Sequence, residues 1–127
     1  LEGIAFEYAY YLKVIRELIP NLTFKEVRVI GGGAKSPLWN TIKASILKVP
    51  YVELNRREFA VWGSAMIAGY SVGVFQDLQK TSLNSVEKKK IHFPNQELSS
   101  IYEKYIPYYL ETMSKMNEVF VNHRELL

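Results

Sequence analysis

The chain has 127 residues, of which 48% are hydrophobic and 23% are charged, and its formal net charge is +3. These values are typical of a single globular domain. The chain has no cysteine, which excludes a disulfide framework, a thiolate metal site and a cysteine nucleophile. Its longest basic run, Lys88-Lys89-Lys90, carries too little positive charge to predict a nucleic-acid partner, and we interpret it as the solvated wall of a loop.

The histidines and the first residues lead to two further expectations. His92 and His123 belong to no motif with metal-ligand spacing, so we predict no metal site. The chain opens with Leu1, shows no signal-peptide pattern and has a helical pattern from its first residues. We therefore expect it to be part of a longer protein.

The first half of the chain alternates helical and strand patterns. Apolar residues recur at helical spacing over residues 4–19. Residues 26–30 are rich in β-branched side chains and predict a short strand, which leads into three glycines. A second helix follows, because Ser36 can cap its amide groups and Pro37 suits the first helical position. Residues 51–54 predict a second strand. The predicted apolar faces are Ile4, Tyr8, Tyr11, Leu12, Ile15, Leu18 and Ile19 on the first helix, and Leu38, Ile42, Ile46 and Val49 along the second.

The second half contains two more predicted helices. Residues 59–75 carry no charge and include three glycines. This stretch is at the short limit for crossing a bilayer, so we predict a buried helix and no membrane partner. Residues 76–96 look irregular. A final helix begins at Glu97, and we expect Pro107 to kink or split it. Its apolar face predicts packing on the protein rather than base stacking and comprises Leu98, Ile101, Tyr102, Tyr105, Tyr109, Met113 and Phe120.

The order of the predicted elements indicates the fold class. The order is helix, strand, helix, strand, helix and C-terminal helix, and such alternation predicts an α/β fold with parallel strands. Two strands are too few for a stable sheet, so we expect the sheet to be incomplete in this chain.

The glycine-rich segment is the part of the sequence that indicates chemistry. Glycine lets the backbone approach a ligand closely, and a helix start presents free N–H groups to phosphate oxygens. The P-loop pattern is absent, because Ala34 separates residues 31–33 from Lys35. The dinucleotide pattern is incomplete, because Ser36 stands where its third glycine would be. The residues alone leave two interpretations open, a bare strand-to-helix turn or a nucleotide site.

Two motifs resemble the FGGY family of carbohydrate kinases, its xylulose kinase and gluconate kinase branches above all. The first motif is Gly31-Gly32-Gly33-Ala34-Lys35-Ser36-Pro37-Leu38-Trp39. The second is Glu58-Phe59-Ala60-Val61-Trp62-Gly63-Ser64-Ala65-Met66-Ile67-Ala68-Gly69. The first resembles the family's adenosine-binding segment, and the second resembles a family helix rich in small residues. The resemblance spans residues 27–80, and the tyrosine-rich last helix also resembles the family's C-terminus.

The resemblance implies a partial actin-like, ribonuclease H-like domain. Residues 1–127 would form the C-terminal segment of the second, ATP-binding domain of a longer kinase. ATP with Mg²⁺ would lie in a cleft between two domains. A ketose or sugar acid would be bound mainly by an N-terminal domain outside this chain, where an aspartate would act as general base. The implied nucleotide-binding residues are Gly31, Gly32, Gly33, Ala34, Ser36 and Pro37.

The sequence also departs from the family pattern. Trp62 and Ser64 stand where the family more often has leucine and alanine. The one aspartate, Asp77, lies past the second motif and does not match the catalytic position. We therefore predict that this chain contains neither a catalytic residue nor a magnesium ligand, and that it is inactive by itself. Glu58 is interpreted as a structural residue or one beside the pocket.

A second hypothesis is a non-catalytic module that keeps a kinase-like scaffold and dimerises. An incomplete sheet motivates it, because unpaired strand edges and apolar faces favour association. A third, a nucleotide-sensing or actin-like ATPase subunit, is disfavoured because the residues after the glycines resemble the sugar kinases. The expected partners are ATP or ADP and a sugar, with a homodimer as a further possibility and a cytoplasmic location.

Overall fold

The computed structural model describes residues 1–55 and 58–124 of the chain. Its elements are α1 (Glu2–Leu18), β1 (Val27–Val29), a 3₁₀ turn (Gly32–Lys35), α2 (Pro37–Leu47), β2 (Tyr51–Leu54), α3 (Phe59–Ser71), α4 (Leu78–Ser85), β3 (Lys88–His92) and α5 (Gln96–Arg124). The two predicted strands and the helices before, between and after them are confirmed. Helix α4 and strand β3 lie in the segment that was predicted to be irregular, so that prediction was wrong.

The sheet has the strand order β1-β2-β3. Strands β1 and β2 are parallel, as predicted, with Val29 paired to Glu53. Strand β3 is antiparallel to β2 and places His92 opposite Tyr51. The lysine run that was interpreted as a loop wall forms most of β3. Lysine has a low strand propensity but is common on exposed edge strands. The sequence pattern therefore concealed this strand.

The core lies where α1, α2 and α5 meet. Helix α2 packs against both other helices and against the sheet. The buried cluster consists of Ala5, Ile42, Ile46 and Tyr102, with Phe6, Ala9, Trp39, Leu47, Leu98 and Ile106 packed around it. The rings of Phe6 and Tyr102 meet edge to face, with their centroids 5.8 Å apart. Such aromatic pairs add to the free energy gained from burying apolar area.

The face of α1 that enters the core differs from the predicted one. Ala5 is fully buried, whereas Ile4, Tyr8 and Ile15 are exposed to solvent. A small residue at the contact lets two helices approach closely, which a pattern of large apolar residues does not reveal. The predicted face instead lies partly along a surface groove between α1, α2 and β1.

The apolar helix α3 is not buried, contrary to the prediction. None of its residues is buried, and its main contact among the described elements is α4. The indole Nε1 of Trp62 donates to Ser85 Oγ at 2.9 Å and so connects the two helices. Asp77, whose carboxylate accepts from the Lys80 amide at 2.9 Å, caps α4. None of the described helices combines the length and hydropathy needed to cross a membrane.

Helix α5 is one continuous helix that contains Pro107, so of the two outcomes predicted for this proline, a kink or a split, the split does not occur. Its packed face is also shorter than predicted. Tyr102 is buried, but Tyr105 and Phe120 are largely exposed. The core cluster includes Leu98, Tyr102 and Ile106 of α5, all in the first half of the helix.

Candidate functional site

The glycine loop, residues 31–35, connects β1 to α2. Gly31 has a φ of +81°, a conformation that glycine adopts far more readily than other residues. The 3₁₀ turn follows, and Ser36 then accepts a hydrogen bond from the Trp39 amide at 3.3 Å through its Oγ. Ser36 is therefore the N-cap and Pro37 the first residue of α2, as the sequence predicted.

The three glycines differ in how much space surrounds them. A Cβ added at Gly31 or Gly32 would meet no atom within 4 Å. A Cβ added at Gly33 would lie 3.5 Å from Trp39 Nε1. The backbone is thus openly accessible at Gly31 and Gly32, while Gly33 faces the indole.

A cleft of about 230 Å³ lies beside this loop. Its lining residues are Val29, Ile30, Gly31, Ala34, Lys35, Glu53, Leu54 and Lys89. The cleft is at the carboxyl ends of the parallel strands β1 and β2, which is where open α/β sheets bind ligands. Two lysines and one carboxylate give it a mixed but mainly positive lining.

The structure separates the six predicted nucleotide residues into groups. Gly31 and Ala34 line the cleft, whereas Ser36 and Pro37 lie at the start of the helix behind it. Gly32 and Gly33 are in the 3₁₀ turn but are not among the lining residues. Sequence analysis did not identify Lys89 as a site residue, because it lies on the strand that was not predicted.

Buried polar side chains connect the loop to the sheet. The Asn40 amide nitrogen donates to the Ala34 carbonyl oxygen at 2.8 Å and to Glu53 Oε1 at 3.4 Å. The same Glu53 oxygen lies 2.5 Å from His92 Nε2. Asn40 is fully buried and His92 is 6% exposed. One hydrogen-bonded series therefore runs from the glycine loop through α2 and β2 to β3.

A larger groove of about 520 Å³ lies on the other side of the loop, between α1, α2 and β1. Tyr8, Tyr11 and Ile15 from the face predicted for α1 form part of its wall. Lys43 also lines it, with its ammonium nitrogen 5.0 Å from the ring centroids of both Trp39 and Tyr51. Burial lowers the pKa of Lys43, and the aromatic faces partly compensate the lost hydration of its charge.

Comparison with known proteins places the chain in a family. A model of the C-terminal domain of the FGGY family of carbohydrate kinases matches residues 1–72. The chain therefore belongs to the FGGY family of carbohydrate kinases. The matched residues include the glycine loop and α3. The predicted family is confirmed.

Three relatives illustrate the likeness. L-fuculokinase of Escherichia coli strain K12 is 30% identical over 103 residues, which cover 81% of this chain and 22% of the relative. A crystal structure of ligand-bound xylulose kinase from Lactobacillus acidophilus matches with a TM-score of 0.73 and 26% identity, covering 91% of this chain and 23% of that one. Gluconate kinase from the same organism matches with a TM-score of 0.66 and 25% identity, covering 80% and 21%.

These likenesses confirm the α/β fold class with an incomplete sheet and the similarity to xylulose kinase and gluconate kinase. The match spans between 14% and 22% of the length of these curated relatives.

Proposed function

We propose that this chain forms part of the ATP site of a carbohydrate kinase that phosphorylates a ketose or a sugar acid, such as xylulose or gluconate. The observation that carries the proposal is the open glycine loop beside a lysine-lined cleft, at the carboxyl ends of two parallel strands, in a chain of the FGGY family. Relatives named for xylulose, fuculose and gluconate support a sugar substrate without distinguishing among the three.

The residues of the cleft fit the phosphate end of a nucleotide. Open backbone at Gly31 and Gly32 allows close approach, and Lys35 and Lys89 supply positive charge. The cleft of about 230 Å³ is below the roughly 300–1,000 Å³ usual for small-molecule pockets. It therefore accommodates part of the nucleotide. The adenosine would extend along residues 32–34, with Ser36 and Pro37 near the adenine edge.

The magnesium ion and the catalytic base are proposed to be supplied from outside this chain. Among residues 1–55 and 58–124 there is no cluster of three acidic or histidine side chains that could hold a metal ion. The carboxylate of Asp77 is engaged in capping α4. In our proposal, the chain binds and orients the nucleotide but does not deprotonate a sugar hydroxyl, so it is inactive by itself.

We propose further that the chain is the C-terminal segment of the second domain of a two-domain kinase. The sugar would be held mainly by the N-terminal domain of that protein. A cytoplasmic location is proposed because ATP is the phosphoryl donor. The short length of this chain relative to its relatives supports the domain assignment.

Nucleotide titration of the whole 127-residue chain tests the proposal. ADP and AMP are titrated into ¹⁵N-labelled protein, and the amide shifts of residues 31–35 are followed. We expect saturable binding that is tighter for ADP than for AMP, because the second phosphate adds charge that the two lysines can neutralise. Gly32→Ala should weaken binding, because its Cβ would occupy the space left for the nucleotide.

The matched control is Gly3→Ala, since a Cβ at Gly3 also meets no atom within 4 Å. That variant should bind ADP as the parent chain does. Equal ADP affinity of Gly32→Ala and the parent chain would contradict the placement of the nucleotide. Absence of ADP binding at millimolar concentration by the folded chain would contradict its role as a nucleotide-binding unit by itself.

A second candidate function, association through the sheet edge, rests on a separate observation. Strand β1 is an edge of the described sheet, and the groove of about 520 Å³ runs beside it. An open strand edge next to apolar side chains favours pairing with another chain. Sedimentation equilibrium distinguishes the two candidates. The Val27 amide donates to the Pro50 carbonyl at 2.8 Å, so the next amide along β1, that of Arg28, faces the open edge. A dimer that Arg28→Pro disrupts would favour association, and a monomer at high concentration would favour the kinase proposal alone.

A further inference from the structure

We infer that Asn40, Glu53 and His92 are positioning residues that hold the glycine loop in the conformation that accepts a nucleotide. The inference rests on the function proposed above. It extends the site beyond the residues of the loop motif. It also assigns a role to β3, which lies outside the residues matched by the family model.

The glycine loop is held only weakly by its own backbone hydrogen bonds. The Ala34 amide donates to Gly31 O at 3.3 Å, and the Ser36 amide donates to Gly33 O at 3.4 Å. Both bonds are long, and 3₁₀ turns have poor hydrogen-bond geometry in general. By contrast, the Asn40 side chain reaches the Ala34 carbonyl at 2.8 Å. The side-chain bond is therefore shorter than either of these two backbone bonds.

The side chain of Asn40 is held in one orientation. Its amide nitrogen donates to two acceptors, the Ala34 carbonyl and Glu53 Oε1, while its own Oδ1 is buried and has no partner among the described residues. The opposite orientation of the amide would place oxygen against both acceptors. The buried unpartnered oxygen is an energetic cost that the two donated bonds offset. The contacts of its nitrogen thus determine the position of Asn40.

Glu53 is held in place by His92. His92 Nε2 lies 2.5 Å from Glu53 Oε1, and both side chains are largely removed from solvent. Strand pairing brings them together, because His92 is opposite Tyr51, two residues before Glu53 on the same face of β2. The glutamate is consequently held towards α2, where Asn40 can donate to it. Strand β3 supports the loop through this contact and also contributes Lys89 to the cleft.

The variant Asn40→Asp tests the inference in the whole 127-residue chain. The substitution keeps the shape of the side chain but replaces the donating nitrogen by an oxygen. Amide hydrogen exchange of residues 31–35 is measured without nucleotide, and ADP is titrated separately. We expect at least about tenfold faster exchange at the loop and at least about tenfold weaker ADP binding, because the substitution removes one hydrogen bond and places a second carboxylate beside Glu53.

The matched control is Asn95→Asp, which changes the net charge equally. Asn95 Oδ1 accepts a hydrogen bond from the Leu98 amide at 2.9 Å, and an aspartate keeps that acceptor. Loop exchange and ADP affinity should both stay at the parent values. Unchanged loop exchange in a folded Asn40→Asp variant would overturn the inference.

A second pair of variants decides the question if Asn40→Asp does not fold. Glu53→Gln keeps an oxygen that can accept from Asn40 and His92, whereas Glu53→Leu removes it. The glutamine variant should retain slow loop exchange and the leucine variant should lose it, and equal exchange in both would overturn the inference. Because amide exchange is measured without nucleotide, it tests the positioning role even if the parent chain does not bind ADP. Failure of ADP binding alone would count only against the proposed function.

Discussion

Helix α2 buries polar residues, whereas helix α3 leaves apolar residues unburied. Helix α2 contains Asn40, Lys43 and Ser45, and all three are buried. Helix α3 consists of apolar and small residues, including two serines, and none of its residues is buried. The difference shows that burial depends on what lies opposite a helix. Helix α2 faces two helices and the sheet, while α3 has α4 as its main neighbour.

The buried polar residues of α2 are tolerated because other groups satisfy them. Ser45 Oγ donates to the Thr41 carbonyl at 2.7 Å and accepts from the Asn95 amide at 3.0 Å. Ser99 Oγ in turn donates to the Ser45 carbonyl at 2.8 Å. Buried polar groups cost little when they are paired in this way. These bonds connect α2 to the start of α5 and help define how the two helices pack.

The largest expected effect separates a core isoleucine from an exposed one. Ile42 is 6% exposed in α2, and Ile67 is 63% exposed in α3. Ile42→Ala should lower the free energy of unfolding by about 2–4 kcal/mol, because it leaves a cavity in the core. Ile67→Ala should change it by less than about 0.5 kcal/mol. Urea denaturation followed by circular dichroism measures both, and equal losses would refute the contrast between the helices.

A smaller effect is expected at Tyr102, whose hydroxyl donates to Glu2 Oε1 at 2.7 Å. Tyr102→Phe should lower the free energy of unfolding by about 1.5 kcal/mol at neutral pH, since it removes a hydrogen bond to a carboxylate. The exposed Tyr70 of α3 provides the control, and Tyr70→Phe should have almost no effect. Urea denaturation at pH 7 checks the pair. A loss at Tyr70 equal to that at Tyr102 would contradict the difference in packing.

The same residue gives a pH dependence. Burial, with the hydrogen bond to Glu2, raises the pKa of Tyr102 to about 12 from its ordinary 10.0. The folded chain therefore keeps a proton that the unfolded chain releases between those values, so stability falls as pH rises through this window. The free energy of unfolding of the parent chain should therefore exceed that of Tyr102→Phe by less above pH 10.0 than at neutral pH. A constant difference in urea midpoint up to pH 11 would contradict this.

The smallest effect compares two helix caps. Ser36 caps α2 and Asp77 caps α4. Ser36→Ala should lower the free energy of unfolding by about 1 kcal/mol, because it removes the cap of α2. It should also accelerate amide exchange throughout α2, because that helix belongs to the core. Asp77→Ala should accelerate exchange within α4 and leave that of α2 unchanged. Faster exchange in α2 after the Asp77 substitution would show that the two regions unfold together.

Local chemistry made several features predictable. The cap at Ser36 and the first helical position of Pro37 were read from the residue types, because each satisfies or tolerates a missing helical hydrogen bond whatever the tertiary context. The strand at residues 51–54 was predictable from its composition, and the motif starting at Gly31 indicated the family. The assignment of six residues of this segment to a nucleotide remains a prediction.

The features that were missed depend on distant parts of the chain. Strand β3 carries three lysines and has no apolar alternation, so only pairing with β2 makes it a strand. Ala5 gave no signal as a core residue, because its burial requires the close approach of other helices. Asn40, Glu53 and His92 are separated along the sequence and meet only after the sheet has formed.

The sequence by itself determined the family, the α/β order of the first elements and the glycine loop with its helix cap. These features depend on residues close together along the chain, where backbone geometry and hydrogen bonding are local. Only the tertiary structure decided which helix faces are buried, that β3 pairs with β2, and that β3 brings Lys89 to the cleft and His92 to Glu53. Those outcomes depend on which elements pack against one another, because apolar composition makes burial favourable but does not provide the opposing surface.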